Sequence, residues 1–164
     1  MFFYSVPSKP VSNRMKIWRR LLKAGAVQFK GAVYLLPYRD DHYEFCQWLV
    51  SEVTTMGGEA AFVRVEKFET IKDNEIIQLF NQQRESNYRV VEKGLEDIEN
   101  KIQAVQKRGW GQNDRKLLWQ LSSYVKEFEE IRNRDFFSLK MGYALKKKIE
   151  TLRTLRALRL TFHW

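Results

Sequence analysis

Arg14, Lys16, Arg19, Arg20, Lys23 and Lys30 fall within the stretch SNRMKIWRRLLKAGAVQFKGAVYLLP, residues 12–37, which holds no Asp or Glu. Clustered cations neutralise phosphates and release their counterions, so the chemistry that suits these six is the binding of a polyanion, DNA first among them. The same groups also make charge-assisted hydrogen bonds to a tetrahedral dianion, and Arg14, Lys16 and Arg19 are the residues expected to hold such an oxyanion. The charge is unevenly spread. Residues 1–39 carry +8, residues 40–134 carry −4 and residues 135–164 carry +5, within a total of +9.

Other chemistry-bearing residues point less far. His42 and Cys46 stand one helical turn apart, but two ligands do not make a metal site, and a buried cysteine beside a capping or surface histidine accounts for them. Trp110, between two glycines in KRGWGQND, is placed either to stack on a base or to pack its loop. Glu75, Glu85, Glu92, Glu96 and Glu99 read as the solvated face of a helix. Spacing for a Ser-His-Asp or Cys-His nucleophile, a phosphate loop or a metal cluster is not found in the sequence. No catalytic role, cofactor or metal is assigned, and an enzyme is the least supported class.

The elements that position the cations follow from periodicity. Phe2 to Val6 is a short strand stopped by Pro7 and Pro10. Residues 13–25 form a helix capped by Ser12 or Asn13, with Met15, Trp18, Leu21, Leu22 and Gly25 on one side and Lys16, Arg19, Arg20 and Lys23 on the other. Arg14 lies near the apolar edge, where it can tie down a loop or cap. Ala26 to Phe29 and Ala32 to Leu36 are two strands or one bent strand around Lys30-Gly31. Asp40 or Asp41 caps a second helix that carries Phe45, Trp48, Leu49, Val53 and Met56 inward, and Gly57-Gly58 ends it. Ala60 to Phe68 is a last strand. The order strand, helix, hairpin, helix, strand predicts an α+β fold, a ferredoxin-like antiparallel sheet with two packed helices, over residues 1–69.

From Thr70 the period becomes helical. Ile77, Phe80, Arg84, Tyr88, Val91, Leu95, Ile98, Ile102 and Val105 recur at steps of three or four, so one long helix is expected. Lys107 to Asp114 breaks it, with Asn113 or Asp114 as the next cap. Leu117 or Leu118, Leu121, Val125, Phe128 and Ile131 then line a second helix, and Trp119, like Trp18 and Trp48, is expected in a core. Residues 70–164 are thus expected to be a helical extension built on an antiparallel helix hairpin, ending in a basic helix with Lys146, Lys147, Lys148, Arg153, Arg156 and Arg159. Arg84 interrupts the apolar seam and is expected to pair with a carboxylate such as Asp135, locking the extension to the sheet domain.

Taken together, SVPSKPVSNRMKIWRRLLKAGAVQFKGAVYLLP, GGEA, LFNQQRESNY and EEIRNRDFF, in that order over residues 5–137, resemble the N-terminal region of the chromate-resistance regulator ChrB. The resemblance covers most of the chain and rests on four separated motifs. It implies a DNA-binding regulator of chromate resistance, usually followed by a further domain, and it makes chromate the oxyanion to consider. A weaker similarity links the first helix, Gly25, Gln28 and Val33 to the ferredoxin-like module of phenylacetate-pathway repressors and of a small CRISPR-associated nuclease. That nuclease pattern needs a metal-holding aspartate at the end of the first strand, where this chain has Ser5, Val6, Pro7 and Ser8. The expected function is a DNA-binding transcriptional regulator or a fragment of one. The alternative is a protein-interaction or dimerisation module, a homodimer included, with incidental basic ends. MFFYSVP lacks the pattern of a signal peptide and no run approaches a membrane span, so a cytoplasmic protein without membrane contact is expected.

Overall fold

Proline and glycine set the boundaries of the first helix. The structure, a computed structural model, describes residues 1–109 and 115–161, with side chains for all of them except residues 108, 115 and 155–161. The expectations for Trp110, for a cap at Asn113 or Asp114 and for the side chains of Arg156 and Arg159 lie outside the described residues. The chain divides into two units, Met1–Phe80 and Asn81–Trp164.

In the first unit the elements are β1 (Phe2–Ser5), α1 (Val11–Lys23), β2 (Val27–Lys30), β3 (Val33–Leu35), α2 (Asp40–Thr55) and β4 (Glu59–Phe62). The strands form one antiparallel sheet in the order β2-β3-β1-β4, so β3 lies between β1 and β2, as the β-α-β-β-α-β plan requires. Phe2 pairs with Tyr34 on one side and Phe62 on the other, and a bulge between Gln28 and Lys30 interrupts the β2–β3 register. Ile17 and Leu21 of α1 and Cys46, Leu49 and Val53 of α2 share one core with Phe2, Ala26 and Tyr34, so both helices cover the same face of the sheet. By strand alternation Val27 and Leu35 are buried on the opposite face, where Phe29 meets Phe68 with ring centres 5.8 Å apart.

Both helices stop by the same device. Gly25 (φ 87°) and Gly57 (φ 72°) take the left-handed conformation that a side chain resists, and their N–H groups and those of the following residues return to the last helical carbonyls. At the other ends the expected caps are replaced. Pro10 precedes α1 in extended conformation, its carbonyl accepting the Asn13 N–H at 3.1 Å, and Arg39 precedes α2. Neither Pro10 nor Arg39 provides a side-chain cap; Asp41 instead accepts its neighbour's N–H, from His42, at 3.0 Å.

Three further expectations are corrected. β4 ends at Phe62, not at Phe68, because β1 has only four residues to pair with it; beyond them Met1 alone exchanges hydrogen bonds with Val63. Val63 and Val65 are therefore exposed. The buried stripe of α1 is Ile17 and Leu21, while Met15 is 38% exposed. Trp48 and Trp119 are not core residues, being 45% and 71% exposed.

α3 (Asp73–Arg108) begins in the first unit, and Glu75 accepts the Lys72 N–H at 3.2 Å at its start. In the second unit the remainder of α3 packs with α4 (Arg115–Arg132) and α5 (Lys140–Thr161). Tyr88, Val91, Leu95, Ile98, Ile102 and Val105 form the expected seam, meeting Leu117, Leu121, Val125, Phe128 and Ile131 of α4 and Leu145, Ile149 and Leu152 of α5. Arg84 is 2% exposed, and neither its Nε nor its Nη1 makes a hydrogen bond. Asp135 is its nearby counter-charge, yet Asp135 bonds Tyr88 and the Leu139 N–H rather than the guanidinium. The expected Arg84–Asp135 interaction is therefore an electrostatic one inside the helical unit.

Candidate nucleic-acid interface

α1 displays two sets of cations on two sides. At helical spacing Arg14, Ile17, Trp18 and Leu21 occupy positions i, i+3, i+4 and i+7 and so share the inward side, whereas Lys16, Arg19, Arg20 and Lys23 share the outward one. The outward set is the one suited to a polyanion.

α2 supplies an acid that α1 lacks. Lys16 Nζ lies 3.0 Å and Arg20 Nη2 2.8 Å from the same Glu52 oxygen, and the Arg20 guanidinium lies 4.4 Å from the centre of the Trp48 ring. An i, i+4 pair of cations thus meets an i, i+4 pair of Trp48 and Glu52 on the neighbouring helix. Two of the four outward charges share one carboxylate. Arg19 and Lys23 are exposed and have no ion-pair partner among the described residues. Lys30, at the end of β2, is exposed with its ammonium 5.8 Å from the Phe29 ring.

Arg14 faces a different setting. It lines an open cleft of about 560 Å³ together with Tyr4, Ser5, Trp18, Gln28 and Tyr34. The Tyr4 and Tyr34 rings are stacked with centres 6.0 Å apart. Burial, with help from Tyr34, pushes the Tyr4 hydroxyl up to about 12, against the opposing pull of Arg14. Burial raises Tyr34 as well, and there too Arg14 pulls the other way. The Gln28 amide donates to the Gly31 carbonyl, which fixes it beside the turn. Arg14, Lys16 and Arg19 are accordingly held in three surroundings: the cleft, the Glu52 contact and solvent.

His42 is 9% exposed rather than at the surface, and its Nδ1 donates to the Pro37 carbonyl at 2.8 Å. Cys46 is buried, and that burial pushes its thiol up. Sequence reasoning missed Glu52 and the cleft. The signal for the cleft was present: a cation at the i position of an otherwise apolar i, i+3, i+4, i+7 set has a reason to point inward. No comparable signal links Glu52 to α1, because the contact depends on how two helices lie on one sheet.

No helix of the described residues is long and apolar enough to cross a membrane. A protein-family model described as Protein ChrB, N-terminal, matches residues 14–155. No curated protein and no solved structure matches the chain.

Proposed function

We propose that this chain, which belongs to the ChrB N-terminal family, is a regulatory module of chromate resistance that contacts DNA through the outward side of α1. The observation that carries this is the pair Arg19 and Lys23, two exposed cations one turn apart in a block of 39 residues that holds eight Lys/Arg and no acid. Lys16, Arg20 and Lys30 extend the same positive region, and Arg14 stands apart in the cleft. Cations of this kind supply affinity without sequence choice, which requires contacts to base edges or a deformable duplex.

The test is a salt series on duplex binding by fluorescence anisotropy. Binding is expected to weaken steeply with salt, with a log–log slope of about −0.9 for each phosphate neutralised. Arg19→Glu with Lys23→Glu is expected to flatten that slope by about 2 and to lower affinity more than about tenfold, on the same counterion arithmetic. Glu52→Gln carries the opposite expectation. Removing the shared carboxylate frees Lys16 and Arg20, so affinity at low salt rises several-fold while α1 stays folded. Absence of duplex binding at low salt, or a salt slope untouched by the double variant, rejects the proposal.

A protein-interaction role is the alternative, and one observation favours it. Trp119 is 71% and Val90 58% exposed in the helical unit, and solvent-facing aromatic residues are enriched where partners dock. Sedimentation shows the difference: a concentration-dependent mass lost in Trp119→Ser, with no duplex binding, selects it.

A further inference from the structure

We propose that the cleft beside the first turns of α1 is a binding site for a small, flat organic acid. Three features of its lining set the chemistry of the ligand. Arg14 is the one charged group in it, and no Asp or Glu faces the guanidinium across the cleft. The Tyr4 and Tyr34 hydroxyls stand within electrostatic reach of that guanidinium, and each phenol carries a proton it can donate. A guanidinium and phenol protons together make an acceptor-seeking pocket for one carboxylate-sized anion. Both phenols stay protonated well above neutral pH, so they remain donors there.

Beside Ser5 and Gln28, the remaining lining includes flat and apolar side chains. Trp18 is half-buried, Met15 is 38% exposed, and both face the cleft beside the two tyrosine rings. Rings and a thioether pack best on a planar body. The volume of about 560 Å³ lies in the range that holds an organic ligand and exceeds what a bare tetrahedral ion fills. A nucleic-acid strand is the poorer fit. Strand-binding grooves run a track of cations along the backbone beside the stacking rings, and here the lining holds no second cation.

Arg14 is also placed as a binding residue rather than a structural one. It occupies the inward i position of α1 ahead of Ile17, Trp18 and Leu21, yet it remains exposed, because the cleft opens where the core ends. It has no ion-pair partner among the described residues. This site is independent of the DNA-contacting side, and Arg19 and Lys23 take no part in it.

Isothermal titration of the full chain with 1-naphthoate tests the site, with 1-naphthalenemethanol as the neutral isostere and sulfate as the inorganic anion. The expected result is saturable one-to-one binding of naphthoate that weakens at least tenfold in Arg14→Gln and a few-fold in Tyr34→Phe. Both variants are expected to keep the parent circular dichroism and the parent affinity for duplex DNA. Equal binding of the neutral isostere makes the cleft merely apolar and overturns the proposal, as does sulfate binding as tight as naphthoate. An affinity unchanged by Arg14→Gln overturns it too, and so does displacement of naphthoate by an equal concentration of a short single-stranded oligonucleotide.

Discussion

Asp135→Ala is expected to destabilise the helical unit by about 3 kcal/mol, because it strips one carboxylate from three partners at once. The Tyr88 hydroxyl donates to Asp135 Oδ2 at 3.1 Å, and the Leu139 N–H, at the entry to α5, reaches both oxygens at 3.2 and 3.0 Å. Tyr88 is fully buried and Arg84 is 2% exposed, so neither regains water when the carboxylate goes. Burial and the nearby Arg134 already pull the Arg84 guanidinium below its ordinary pKa, and Asp135 is the first group opposing them. Without it a buried cation faces another cation. Burial and the same carboxylate push the Tyr88 hydroxyl up, which keeps it a donor. Urea unfolding followed by far-ultraviolet circular dichroism measures the loss. Adding Arg84→Met to Asp135→Ala should recover much of it, since removing both charges leaves no unopposed ion. A single variant within half a kilocalorie of the parent would refute the arrangement. Arg84→Glu, which places two carboxylates together, is expected to lower the melting temperature in the same way.

Gly58→Ala is expected to destabilise the first unit by about 3 kcal/mol, at the upper end of the usual overpacking range, although it adds one methyl group. That methyl would run into the Ser5 carbonyl oxygen and lie 2.8 Å from Val6 Cγ1 and 2.9 Å from Val53 Cγ1. Ser5 pairs with Glu59 across β1 and β4, so its carbonyl belongs to the sheet and has little freedom to retreat. Gly57 supplies the control. A Cβ there meets only Pro7 Cγ at 3.9 Å, and its cost is that of a left-handed backbone (φ 72°), about 1 kcal/mol. The ranking Gly58→Ala well above Gly57→Ala is the expected outcome in denaturant titration. Equal losses would mean that the sheet yields at Ser5.

Much of this frame is legible in the sequence alone. The change of period near Thr70 announced the helical part, and the seam from Tyr88 to Val105 packs as its spacing said. Gly25 and the Gly57-Gly58 pair end their helices, since no other residue takes that backbone at so little cost. Errors arose where a pattern fits more than one partner. Ala60 to Phe68 alternates like a long strand, but a strand extends only as far as its neighbour, and β1 offers four residues. Trp119 sits two residues from Leu117 and from Leu121, which carries it to the solvent side of α4. Its size and apolarity suggested a core that its position denies.

What the sequence determined by itself is the set of elements and the sign of charge along α1, because both depend on residues close in the chain. Local spacing also assigned Lys16, Arg19, Arg20 and Lys23 to one side and set Arg14 near the apolar edge. Tertiary structure decided what those charges meet. Only the packing of α1 and α2 on a common sheet face brings Glu52 to Lys16 and Arg20, leaving Arg19 and Lys23 as the exposed pair. Only the pairing of β1 with β3 sets Tyr4 and Tyr34 beside Arg14 around an open cleft. Contacts between residues distant in sequence are fixed by how whole elements pack, and a periodic pattern carries the face of an element without the identity of its neighbour.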